Sequence, residues 1–223
     1  MPLAILASPD LRWIVKIATL QATRLMPTSI GHALAGAAAA WSADLVPGRR
    51  AWRTAPPSAS WYRRAGNGLT LVCAVLGAIA DADLLFHIHR TFTHSVTAVI
   101  VVGVLAGAIA AASNRPVVRV ASMCAAAYGT HLLLDWLAVD LWPPYGIQLF
   151  WPFSDAWYIS PWIVFPQIER ARLFSAATLR LNALAIAQEI AVLAPILIVM
   201  WLVRVKALAR LAAQLSGSDH SAE

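Results

Sequence analysis

Residues 95–114 read SVTAVIVVGVLAGAIAAASN, and this uncharged stretch decides the class of fold. A helix needs about 20 apolar residues to cross the hydrocarbon core of a bilayer. The whole chain has the same character, because 60% of its 223 residues are hydrophobic and 13% are charged. A soluble domain carries roughly 25% charged residues. The sequence therefore predicts an all-α fold, a polytopic membrane helical bundle.

Four further stretches are apolar enough to cross a membrane, at 25–43, 69–86, 120–139 and 181–203. We therefore expect a single integral membrane domain over residues 25–203 with five transmembrane helices. Residues 1–24 place apolar side chains at helical spacing among basic ones, which is typical of an interfacial amphipathic helix. The Trp- and Pro-rich segment between the last two spans favours an irregular loop that caps one end of the bundle.

The distribution of charge predicts the partners and the orientation. The net charge is +6, but the basic residues fall in short clusters between apolar stretches. This pattern predicts contact with membrane lipids and no nucleic acid. Five spans place ten of the 17 basic residues on one side, together with the polar tail 204–223. We therefore expect a cytoplasmic C-terminus. Cys73 and Cys124 lie singly in apolar runs and are predicted to be buried.

Ionisable residues inside membrane segments are costly, and they indicate function by default. Six of them fall in or beside the first four predicted spans: His32, Asp81, Asp83, His94, His131 and Asp135. Glu189 lies in the fifth span, where it could neutralise an arginine of the loop or line a cavity. Because neighbouring spans are antiparallel, all six lie at one end of the bundle, away from the basic loops. The four-residue spacing of His131 and Asp135 also places both on one helix face.

Mixed His and Asp ligation suits a divalent metal ion. Zinc is favoured, with manganese, iron or magnesium as alternatives, and one or two ions would fit six donors. Such an ion lowers the pKa of bound water and polarises an ester or phosphoryl oxygen. Two plainer interpretations stay open. His131 and Asp135 could form a buried hydrogen-bonded pair between helices, and Asp81 and Asp83 could cap a turn.

The pattern of motifs resembles the YdjM-like family of bacterial inner-membrane proteins, which are described as metal-dependent hydrolases. The resemblance covers roughly residues 32–154 and rests on these elements: His32, Asp81-x-Asp83, His89-Arg90-x-x-Thr93-His94-Ser95, His131-x-x-x-Asp135, Gly146 and the run LFWPFS at 149–154. One position differs, since Thr91 stands where the motif leads us to expect Gly. The family is also described as LexA-associated, which no residue pattern here indicates.

The resemblance implies that the six residues form the metal or catalytic constellation. It also implies catalytic roles for Asp83, His89 and Arg90, with Arg90 as an anion or phosphate clamp. The position of His89 also suits simple contact with lipid headgroups. Thr93 and Ser95 would support the site by hydrogen bonding. A multi-pass location in the bacterial inner membrane follows, with the site on the face opposite the C-terminus.

The first hypothesis for function is a membrane-bound metal-dependent hydrolase that acts on a lipid or phosphoester substrate. The alternatives are a metal or proton transporter that uses the same ligands, and a non-catalytic membrane scaffold in which the cluster holds helices together. Serine hydrolase chemistry is disfavoured because the sequence has no GxSxG motif.

Overall fold

A computed structural model describes residues 28–45, 60, 64–86, 90–140, 143–166, 168–169 and 174–219. Within these ranges it contains five α-helices: α1 Ser29–Asp44, α2 Gly68–Ile79, α3 Val96–Ala112, α4 Val117–Trp136 and α5 Ala176–Asp219. Two 3-10 helices, Ala80–Phe86 and Phe92–His94, lie between α2 and α3. The described part of the chain has no strand. The prediction of an all-α fold is therefore confirmed.

The helices differ in their ability to cross a membrane. By length and composition, α4 and the Ala176–Ala207 part of α5 are long and apolar enough to do so. The apolar helix α3 has 17 residues, α1 has 16 and α2 has 12. The two long helices, α4 and α5, support a membrane location. The other three of the five predicted spans stay a prediction. The interfacial helix predicted at 1–24 lies outside the described residues.

Helix α4 is the centre of the bundle, because it packs against α1, α2 and α3. Helix α1 also contacts α2 and α5. The core between α1, α2 and α4 is built from small side chains, including Ala40, Cys73, Cys124 and Ala127. Both cysteines are buried, as predicted. Small core residues let the helix backbones approach closely.

The closest approach is between α1 and α2, where Gly36 faces Gly77. A Cβ atom added to Gly36 would lie 2.2 Å from the carbonyl oxygen of Cys73. A Cβ on Gly77 would lie 2.3 Å from the carbonyl oxygen of His32. No side chain larger than hydrogen fits at either position. This crossing fixes the first turn of α1 beside the last turn of α2.

An irregular segment, residues 143–166, lies over the ends of α3 and α4. Within this segment, Ile147 and Tyr158 form two backbone hydrogen bonds with each other, with N–O distances of 3.0 and 2.9 Å. The amide of Val96 at the start of α3 donates to the carbonyl of Leu149 at 2.8 Å. The amide of Val164 donates to the carbonyl of Leu137, just after α4, at 2.9 Å. We call residues 143–166 the cap segment.

We predict that Gly36→Ala lowers the thermal stability of the detergent-solubilised protein, because its methyl group would force α1 away from α2. Overpacking of this kind costs about 1–3 kcal/mol. Thermal unfolding followed by circular dichroism measures the effect. Gly68→Ala is the matched control, since a Cβ there meets no atom within 4 Å. Equal unfolding midpoints for the two variants would contradict the importance of the crossing.

Candidate metal centre

Four side chains from three parts of the chain converge at one end of the bundle. His32 comes from the first turns of α1, and Asp81 from the 3-10 helix that continues α2. His131 and Asp135 come from the last two turns of α4. Each offers one ligand atom, and these atoms all lie within 4.8 Å of one another. Both histidines are fully buried, and both carboxylates are at most 9% exposed.

The distances within this group match those around a single ion. His131 Nε2 lies 3.4 Å from Asp81 Oδ1 and 3.3 Å from Asp135 Oδ2. His32 Nε2 lies 3.4 Å from Asp135 Oδ1. Ligands bound at about 2.0–2.1 Å to a tetrahedral zinc ion lie roughly 3.3 Å apart. The four side chains could therefore hold one metal ion with little rearrangement.

His94 lies directly beside this group. Its Nε2 is 3.0 Å from His131 Nε2, 3.1 Å from Asp135 Oδ2 and 4.0 Å from Asp81 Oδ1. Burial lowers the pKa of His94, but its hydrogen bonds to Asp135 and Asp83 outweigh burial and raise the pKa above its ordinary value of 6.5. His94 is a fifth side chain at the edge of the site and the third one with an imidazole nitrogen, and its Nε2 faces the other four residues.

The imidazole of His131 is oriented by the backbone of α2. Its Nδ1 lies 2.8 Å from the carbonyl oxygen of Gly77, which can only accept a hydrogen bond. In the neutral ring, the proton therefore sits on Nδ1, and the lone pair of Nε2 points into the site. A backbone carbonyl that fixes the tautomer in this way is typical of metal-binding histidines.

The other face of His94 is supported by Asp83 and Thr93. His94 Nδ1 lies 3.2 Å from Asp83 Oδ2 and 2.9 Å from the hydroxyl of Thr93. The Thr93 hydroxyl also donates to the Asp83 carboxylate. Tyr128 of α4 donates its hydroxyl to the Thr93 carbonyl at 2.7 Å and so ties this turn to the bundle. Asp83 and Thr93 together hold the His94 ring in place.

Several buried polar atoms in the group contact only one another, at 3.1–3.4 Å, and form no hydrogen bond of good geometry among the described residues. They are both ring nitrogens of His32 and both carboxylate oxygens of Asp81 and of Asp135. Burying polar atoms in this state is expensive, and for charged carboxylates the cost is several kcal/mol. A cation at the centre would satisfy the carboxylates and the free imidazole nitrogens together. The donor set therefore fits a divalent metal ion.

Asp83 and Arg90 stand apart from the converging donors. Asp83 lies on the Nδ1 side of His94, although the sequence also suggested it as a ligand. Arg90 forms a buried salt bridge with Asp140, whose carboxylate also accepts from the Gly146 amide at 2.8 Å. This pair ties the loop before α3 to the start of the cap segment. The role of Arg90 as an anion clamp stays a prediction, and His89 lies outside the described residues.

The motif around His94 is shaped by backbone geometry. Arg90 has a φ of 65°, whereas the departure from the family motif, Thr91, has a φ of −102°. The left-handed backbone position is therefore Arg90, one residue before Thr91. Ser95 is fully buried and caps α3, since its hydroxyl accepts from the Ala98 amide at 3.1 Å. These contacts place His94 immediately before the first turn of α3.

The sequence patterns missed several supporting contacts. The sequence gives no signal for the Gly77 carbonyl or for Asp140, and it does not indicate a backbone amide as the partner of Glu189. In the structure, Glu189 is 5% exposed, and its Oε2 accepts from the Thr28 amide at 3.2 Å, just before α1. A carboxylate at a helix N-terminus is favourable. The isolated acid in the apolar run 181–203 was the available signal, because such a group needs a donor.

We predict that alanine substitution of His32, Asp81, His131 or Asp135 lowers metal affinity at least about 100-fold, because contacts outside the ligand set alone change it by about 10–100-fold. Elemental mass spectrometry on detergent-purified, monodisperse protein measures the bound ion. Asp155→Ala is the control, since Asp155 is exposed and lies outside the group. Unchanged metal content in all four variants would contradict the assignment.

Comparison with known proteins assigns the chain to a family. The family model described as "YdjM inner membrane protein" matches residues 26–213, which include every residue of the candidate metal centre. No match was found among curated proteins or among solved structures. The resemblance inferred from the motifs is therefore confirmed over a longer part of the chain than the motifs themselves cover. The chain belongs to the YdjM family of inner membrane proteins.

Proposed function

We propose that this protein is a membrane-bound metal-dependent hydrolase. The observation that carries the proposal is the buried convergence of His32, Asp81, His131 and Asp135, in which the polar atoms of His32, Asp81 and Asp135 form no hydrogen bond of good geometry among the described residues. A divalent ion held there would supply an activated water if the water is a fifth ligand or replaces one of the four residues, and it would polarise an ester or phosphoryl oxygen. Zinc is the favoured ion, because two imidazoles and two carboxylates suit it and the site is compact.

His94 and Asp83 form the acid–base part of the proposal. His94 Nε2 faces the converging donors, and Nδ1 faces the Asp83 carboxylate. The ring can therefore take up a proton at Nε2 while Asp83 holds the proton on Nδ1. An acid that orients a histidine from behind also stabilises the imidazolium. This arrangement makes His94 the proposed general base and Asp83 its positioning residue.

The surroundings of the site support an amphipathic substrate. The group lies where α1 begins and α4 ends, in a family of inner membrane proteins. The cap segment covers the same ends of the helices and restricts access of water. We propose a phospholipid or another lipid-linked phosphate or ester as the substrate class. Arg90, beside the cap segment, would stabilise negative charge on such a substrate if its bond to Asp140 is exchanged for the substrate.

The proposal is tested by activity on a panel of substrates. Purified protein, loaded with zinc or manganese, is incubated with phosphatidylglycerol, phosphatidic acid, a lipid-linked pyrophosphate and a nitrophenyl phosphodiester, and products are identified by mass spectrometry. Hydrolysis that is lost in Asp135→Asn and kept in Asp155→Asn is the expected result. Metal uptake into proteoliposomes without hydrolysis would indicate a transporter. A metal-free, well-folded protein would indicate a scaffold.

We predict that His94→Gln lowers the rate of hydrolysis by about 10²–10⁴-fold while bound metal is retained, because a general base contributes about that much. Asp83→Asn should give a smaller loss, since it weakens only the orientation of the ring. Rates and metal content are measured on the same preparations. If His94→Gln loses the metal together with the activity, His94 is a ligand and the proposed division of roles is wrong.

A further inference from the structure

A cleft opens at the end of the bundle opposite the metal centre. Both α2 and α3 pack against α4. The cleft lies between the start of α2 and the turn that joins α3 to α4. Its volume is about 520 Å³. This volume is within the range of about 300–1,000 Å³ that is typical of sites for small molecules. The cleft shares no residue with the metal centre.

The lining of the cleft is divided into a polar part and an apolar part. The polar part comes from the turn and the helix ends: Asn67, Ser113, Arg115 and Arg119. The apolar part is formed by Leu69, Val72, Ile109 and Val120. Val72 and Ile109 expose about half or more of their surface, at 47% and 67%. A ligand that fills this cleft must therefore be amphipathic.

The charge of the cleft selects an anion. Two arginines line it, and no aspartate or glutamate is among the described residues of its lining. Arginine is well suited to phosphate, because its planar guanidinium can donate two parallel hydrogen bonds. The start of α4 adds to the positive potential of the cleft. Pro116 precedes this helix, and no side chain caps its first amides. Unsatisfied amides at a helix start carry partial positive charge.

We infer that this cleft binds an anionic glycerophospholipid of the surrounding membrane. The phosphate lies between Arg115 and Arg119, and an acyl chain follows the wall formed by Val72 and Ile109. The apolar wall favours a lipid over a free phosphate ion, because an acyl chain contacts that wall and a phosphate ion does not. The inference does not depend on hydrolysis at the metal centre, because the two sites are at opposite ends of the bundle.

The test compares lipid binding to the full-length protein in neutral detergent, with bound lipid counted by native mass spectrometry during titration with phosphatidylglycerol. Wild type is expected to prefer phosphatidylglycerol to phosphatidylcholine. Arg115→Gln combined with Arg119→Gln should weaken binding about 30-fold, since each basic residue near an anionic lipid contributes about fivefold. Lys206→Gln combined with Arg210→Gln is the matched control, because it removes the same charge from exposed positions outside the cleft.

A third variant, Val72→Trp, keeps all charges and fills the apolar part of the cleft. It should weaken phosphatidylglycerol binding about tenfold, and its result stands even if the double arginine variant fails to fold. Three results would each overturn the inference. They are equal losses in the two double variants, equal binding of phosphatidylcholine and phosphatidylglycerol, and competition by inorganic phosphate with no effect of Val72→Trp.

Discussion

The hydrogen bond from His131 Nδ1 to the Gly77 carbonyl joins α4 to α2 at the level where α2 also meets α1. It places the proton of the imidazole away from the converging carboxylates and so leaves Nε2 available as a donor. The bond requires that α2 present its backbone directly to α4 and to α1. Glycine at position 77 satisfies both conditions, because a side chain there would collide with the His32 carbonyl.

The burial of the site explains why these contacts are so closely specified. Two carboxylates and three imidazoles lie almost completely out of contact with solvent. Charges in such an environment are stable only when they are paired or coordinated. His131, His94 and His32 each approach Asp135 within 3.4 Å, so the single carboxylate of Asp135 interacts with all three rings. The bundle thus concentrates negative charge where histidine nitrogens are already oriented.

Much of this arrangement could be predicted from the sequence, for two physical reasons. Antiparallel apolar segments bring the end of one to the start of the next, so His32, Asp81 and His131 had to lie at a common end. The i, i+4 spacing then placed Asp135 on the same face as His131. The metal-binding potential of the group follows from residue type, and the family assignment follows from the order of the motifs.

The remaining features depend on backbone geometry that no periodicity encodes. Asp81 and Asp83 lie in a 3-10 helix, whose tighter winding sends one carboxylate to the converging donors and the other behind His94. Arg90 forms a salt bridge with Asp140, 50 positions away, because irregular backbone brings the two residues together at the same end of the bundle. The helix bounds also differ from those of the apolar stretches, since the stretch 69–86 continues beyond α2 into a 3-10 helix and α5, with 44 residues, extends beyond the apolar run 181–203 at both ends.

All five converging donors lie between residues 32 and 135, and α5 follows them in the chain. During biosynthesis, α1 to α4 therefore leave the ribosome before the long helix α5 is made. All the residues of the centre have been synthesised at that stage, and the late helix adds its packing against α1 and its Glu189 contact to Thr28. The order of the chain thus separates assembly of the donor set from the closing of the bundle around it.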